Sequence, residues 1–173
     1  MLQRILLILI PGALLLFSQS QPPAAPWRDS EVVEPAAPWR DSEVVEPAAP
    51  WRDSEVVEPA ALAARLNKGE KPAMYFVGPA VIWRANHIPG SVNTGMASRE
   101  PGLEALVAAV KHKPKNAEIL IYCGCCPWDV CPNMRPAYAR LRKEGYTNIK
   151  VLKIPTRLSE DWKAKGYPTA TGE

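Results

Sequence analysis

The stretch Glu118-Ile119-Leu120-Ile121-Tyr122-Cys123-Gly124-Cys125-Cys126-Pro127-Trp128-Asp129-Val130-Cys131 decides how the rest of the chain is read. From Ile119 to Tyr122 it is an unbroken apolar run with no alternating polar positions. A strand of that kind is covered on both faces, which places it at the centre of a sheet. The remainder gathers all four cysteines of the chain into nine residues. A structural disulfide framework spreads its cysteines to close large loops. Clustered thiols at the end of a central strand mark a site instead.

Working outward, short apolar runs alternate with amphipathic segments. Strands are predicted over 73–77, 91–93 and 149–152. A helix begins at Pro59 and runs through Ala60–Leu66, since proline suits a first helical turn. A short helical turn covers 81–84. Leu103, Leu106, Val107 and Val110 recur at i, i+3, i+4 and i+7, which predicts a helix closed by Pro114. Residues 135–144 form another, with Asn133 as its cap and Gly145 as its stop. Ser159 caps a last helix through Lys165. Strand and helix in this alternation specify an α/β domain with a central parallel sheet and helices on both faces. Ligands of such sheets sit at the carboxyl ends of the strands, where Cys123 stands. The amides and macrodipole of the 135–144 helix, together with Arg135, favour an anionic sulfur there.

The 173 residues suffice for one domain and an appendage. Arg4 followed by the apolar run Ile5–Phe17 and Ser18-Gln19-Ser20 reads as a signal peptide over 1–20. The run is too short for a membrane span and is interrupted by Pro11-Gly12. After cleavage the expectation is a periplasmic or secreted protein without stable membrane insertion. The unit PWRDSEVVEPAA then occurs three times without change, at 26–37, 38–49 and 50–61. Each copy has too little apolar surface to offset chain entropy, so 21–53 is expected to be a disordered acidic linker. The third copy enters the domain, which is expected over 54–168 with a tail at 169–173. The linker region 21–61 holds three Arg against nine acidic residues, and 62–173 holds 17 basic against nine acidic. A basic domain favours anionic partners. Its basic residues form no nucleic-acid-binding motif, and no nucleic acid partner is expected.

Three motifs carry a resemblance. Trp83-Arg84-Ala85-Asn86-His87-Ile88-Pro89-Gly90-Ser91 resembles the "RAGHIPGA" signature of the rhodanese-like domain family. Ile121-Tyr122-Cys123 resembles that family's strand leading to its catalytic cysteine, and Glu160–Pro168 its closing helix with the "GYP" exit. The match spans about 54–168 with the motifs in order. Two departures stand out. Phe76 and Gly78 replace the family's Asp and Arg around the first core strand. The loop from Cys123 to Arg135 is also longer than usual and rich in Cys and Pro.

The resemblance implies a sulfurtransferase without a cofactor. Cys123 is then the nucleophile that takes sulfane sulfur from a small anionic donor such as thiosulfate, or from a persulfide. The persulfide passes its sulfur to a thiol acceptor or cyanide. Arg135, Gly124 and Trp128 are the expected substrate-binding residues. Cys125, Cys126 and Cys131 are possible resolving or alternative thiols. Two alternatives stay open: a thiol-disulfide module using Cys126 and Cys131, and a soft-metal (Zn or Cu) site made by Cys123, Cys125, Cys126 and Cys131. Lys153 and Arg157, after the last strand, are weaker candidates for attracting an anion. His87 is expected to bond to backbone, His112 to be solvated, and Trp83 and Trp162 to pack in the core.

Overall fold

The computed structural model describes residues 49–172. The signal peptide expected over 1–20 and the expected linker up to residue 48 lie outside the described residues. Five strands form one sheet: β1 (Val56–Val57), β2 (Met74–Phe76), β3 (Val92–Asn93), β4 (Ile119–Tyr122) and β5 (Ile149–Leu152). Their order is β1-β5-β4-β2-β3, and every pair is parallel. The apolar run that reads as a sheet centre is β4, flanked by β5 and β2. Five helices complete the domain: α1 (Pro59–Asn67), α2 (Ala80–Ala85), α3 (Glu100–Val110), α4 (Met134–Lys143) and α5 (Leu158–Asp161).

Because successive strand residues point to opposite faces, each strand feeds two cores. Tyr75, Ile119, Ile121, Ile149 and Val151 pack with Leu106 and Val110 of α3 and Ala137, Tyr138 and Leu141 of α4. Met74, Phe76, Leu120, Tyr122 and Leu152 pack with Leu62 of α1, Trp83 of α2, and Leu158 and Trp162 around α5. The two-faced α/β architecture expected from the sequence is the one found. Cys123, the next residue after β4, belongs to the α3/α4 face.

Packing starts earlier and ends later than the expected boundaries at 54 and 168. Trp51 is buried, its ring 5.3 Å from that of Trp128 and edge-on to Tyr138 at 5.9 Å. The third repeat copy is thus built into the fold: Glu55 accepts hydrogen bonds from the Arg52 N–H and the Tyr138 hydroxyl, both 2.8 Å, and Val56-Val57 is β1. The expected tail is also engaged, with His87 and Ala170 exchanging backbone hydrogen bonds at 2.9 Å. The last helix is shorter than expected. It ends at Asp161, followed by a 3-10 turn over Lys163–Lys165. Ser159 lies inside it, and Asp161 Oδ2 instead accepts the N–H groups of Thr156 and Arg157 that lead in.

Candidate active site

Cys123 leaves the central strand into a space that two glycines keep open. The β2/β4 register pairs Phe76 with Tyr122, which brings Val77-Gly78 alongside Cys123. A Cβ on Gly78 would lie 2.6 Å from Cys123 Sγ, closer than the two atoms can stand. A Cβ on Gly124 would lie 2.5 Å from Leu158 Cβ, and the Gly124 carbonyl accepts the Leu158 N–H at 3.3 Å. Gly78, which departs from the family pattern, is therefore what lets the sulfur sit where it does.

The insertion folds the other thiols back onto Cys123. Cys125 Sγ lies 3.2 Å from Cys123 Sγ, 3.3 Å from Cys126 Sγ and 3.9 Å from Cys131 Sγ. All four are free cysteines. Cys123 and Cys131 are buried, whereas Cys125 and Cys126 are half-buried and form the solvent side of the cluster. Thiols this close share charge. Cys131 is lowered well below an ordinary thiol, held as thiolate first by the Cys123 thiol and then by Cys125, with the Asn133 N–H adding to them. Cys123 is raised by its bonding to Cys125 and Cys131 and by burial. These directions favour negative charge on Cys131 and a proton on Cys123.

Asn133 has a different task from the one its sequence position suggests. Its side chain makes no cap hydrogen bond to α4. Its Oδ1 accepts the Ser98 N–H at 3.0 Å, and its Nδ2 points at Cys123 and Cys131 Sγ, at 3.9 and 4.0 Å. The amide is almost fully buried and links both buried sulfurs to the segment that precedes α3. Sequence reading missed this role because an Asn before a helix is explained completely by capping.

The remaining candidates brace the loop or lie apart from the sulfurs. Arg135 Nε donates to the Asp129 carbonyl at 3.2 Å, tying the first turn of α4 to the loop. Trp128 anchors it from the other side: its N–H donates to Ile154 O at 3.0 Å and its ring stacks on Trp51. Lys153 pairs with Glu58 at 2.8 Å and Arg157 with Glu160 at 3.7 Å, so both cations already have carboxylate partners. His87 Nδ1 is 3.0 Å from the Trp83 carbonyl, and its ring stacks on Trp83 at 3.8 Å. A groove of about 640 Å³ lined by Lys71, Met74, Tyr75 and Val92 opens at the amino ends of the strands, the end opposite Cys123.

Comparison with known proteins agrees with this architecture. The model of the Rhodanese-like domain matches residues 60–154. A solved structure of a Bacillus halodurans protein is similar with a TM-score of 0.52 and 20% identity, covering 68% of this chain and 77% of that one. A protein of Anabaena sp. gives 0.51 and 21%, covering 67% and 82%. The thiosulfate sulfurtransferase of Pseudomonas aeruginosa gives 0.51 and 13%, covering 68% of this chain but only 20% of that longer one. No curated protein matches by sequence. The likeness to these structures is one of fold, and the matching family model spans more than half of the chain. With its five-stranded parallel sheet and the cysteine at the end of the central strand, the chain belongs to the rhodanese-like domain family.

Proposed function

We propose that the protein is a sulfurtransferase that carries sulfane sulfur on Cys123 and works outside the cytosol. The observation that carries the reading is the packed thiol cluster at the carboxyl end of β4, in which Cys123 has a route for its proton. The Cys123 proton passes to Cys125, 3.2 Å away, while Cys125 gives its own to the Cys131 thiolate at 3.9 Å. The cluster keeps a single negative charge, now on Cys123. That thiolate attacks the outer sulfur of thiosulfate, the S–S bond of the donor breaks, and sulfite leaves with the bonding pair. The Cys123 persulfide then gives its outer sulfur to an acceptor thiolate and returns to thiolate. The Asn133 amide and the amides at the start of α4 offset the anionic sulfur throughout.

The basic domain suits an anionic donor, and the half-buried Cys125 and Cys126 line the solvent side of the cluster. The 1–20 leader serves as the export signal in this reading, with the acidic linker between it and the domain. Free thiols outside the cytosol require a thiol reductant or acceptor as partner. Mass spectrometry of the reduced protein before and after thiosulfate, with peptide mapping of the loop, tests the reading. One added sulfur on Cys123 is expected. Sulfur mapped to Cys126 or Cys131 in the wild-type chain would move the nucleophile, and no uptake from thiosulfate or a persulfide would end the proposal.

A further inference from the structure

We propose that Cys123, Cys125 and Cys131 also form a three-thiolate site for Cu(I). This inference does not rest on sulfur transfer; it rests on how the insertion arranges the sulfurs. The three Sγ atoms all lie within 4.8 Å of one another, with separations of 3.2 Å for Cys123–Cys125 and 3.9 Å for Cys125–Cys131. Metal–thiolate bonds of about 2.3 Å place the sulfurs of a trigonal site about 4 Å apart, so the ring closes round an ion after a shift of under roughly 1 Å at Cys125.

The donor set chooses the ion. It holds only soft sulfur and no His, Asp or Glu, and the grouped ligands number three. All-thiolate sets bind zinc as well as monovalent copper, but zinc in a structural site takes four ligands, so a group of three soft sulfurs suits copper. Cys126 stands outside the group but 3.3 Å from Cys125, half-buried, which suits a thiol that receives the ion and passes it inward by ligand exchange. Binding replaces thiol protons by the metal without any change in oxidation state. The net negative centre left behind is met by the Asn133 amide, which reaches both Cys123 and Cys131, and by the amino end of α4.

The test is competition for Cu(I) between the reduced full-length chain and a chromophoric Cu(I) chelator, with X-ray absorption on the loaded protein. One Cu(I) per chain with three sulfur neighbours is expected. Cys125→Ser and Cys131→Ser should each lose at least roughly 100-fold in affinity, more than a lost supporting contact costs. Cys126→Ser should keep the affinity and load more slowly. Thermal unfolding of each variant without copper checks that it folds, and Cys125→Ser, at a half-buried position, serves if Cys131→Ser does not. Two sulfur neighbours, unchanged affinity in Cys125→Ser, or zinc held in a four-sulfur shell in preference to copper would overturn the proposal. Sulfur uptake on Cys123 is read separately, so either reading can fail alone.

Discussion

Tyr122 and Cys123 are neighbours in sequence, yet they face opposite sides of the sheet and meet opposite fates. Tyr122 points into the α1/α2/α5 core, where its hydroxyl accepts the Ile88 N–H at 3.1 Å and bonds Ser91 Oγ at 2.7 Å. Burial pushes its hydroxyl pKa up, so it stays neutral and pins the His87–Ser91 turn to the sheet. Cys123 points into the α3/α4 face, where the neighbouring groups are thiols, a buried amide and the start of a helix. One side of the strand end is a satisfied structural joint. The other is a cluster of thiols that favours negative charge on Cys131 and can relay protons from Cys123 through Cys125. The pleat alone separates the two environments by one residue.

The comparison can be broken by substitution. Cys123→Ser should lower sulfur transfer by about three orders of magnitude or more, as loss of a nucleophile does, while the melting temperature barely moves. Steady-state thiocyanate or persulfide formation measures this, and retained turnover would place the chemistry elsewhere in the loop. Trp51→Ala removes the ring that stacks on Trp128 and should cost about 3 kcal/mol in denaturant unfolding. It should also speed alkylation of Cys126, because the loop loses its outer brace; an unchanged rate would mean that Ile154 holds the loop alone. Tyr122→Phe leaves the Ile88 N–H without its acceptor and should cost about 1–2 kcal/mol. Sulfur uptake per folded molecule should be unaltered, and a large loss would show that the two faces are coupled.

The smallest effect concerns acid. Burial would raise Glu55, but the hydrogen bonds from the Arg52 N–H and the Tyr138 hydroxyl outweigh it and hold the carboxyl below the usual range. A depressed carboxylate adds stability that is fully present above the ordinary glutamate pKa and is lost as pH falls through its folded value. Melting temperature against pH should therefore fall less steeply on the acid side in Glu55→Gln than in the wild type. Parallel curves would mean that Glu55 is not linked to acid unfolding.

The parts of the fold visible in sequence are those where one local pattern has one meaning. The apolar run of β4 has to be buried on both faces, and the i, i+3, i+4, i+7 spacing from Leu103 to Val110 has to form a helix. The site was only partly visible. Its cysteines are evident as a cluster, but Asn133 looks like a cap, Gly78 only like a departure from the family pattern, and Trp51 like one of three identical repeats. Each acquires its role from a residue far away in the chain: Asn133 from Ser98 and Cys123, Gly78 from Cys123, Trp51 from Trp128 and Tyr138.

By itself, then, the sequence determined the parallel α/β class, the family and the position of the thiols at the end of the central strand, because periodicity and strand-end placement are local properties. Only the tertiary structure decided which sulfurs touch, which thiol is favoured as thiolate, and that Trp51 of the third repeat copy packs against Trp128 and Tyr138. Those outcomes depend on side chains meeting across the fold at distances of 3–4 Å, and no spacing along the chain encodes such a meeting.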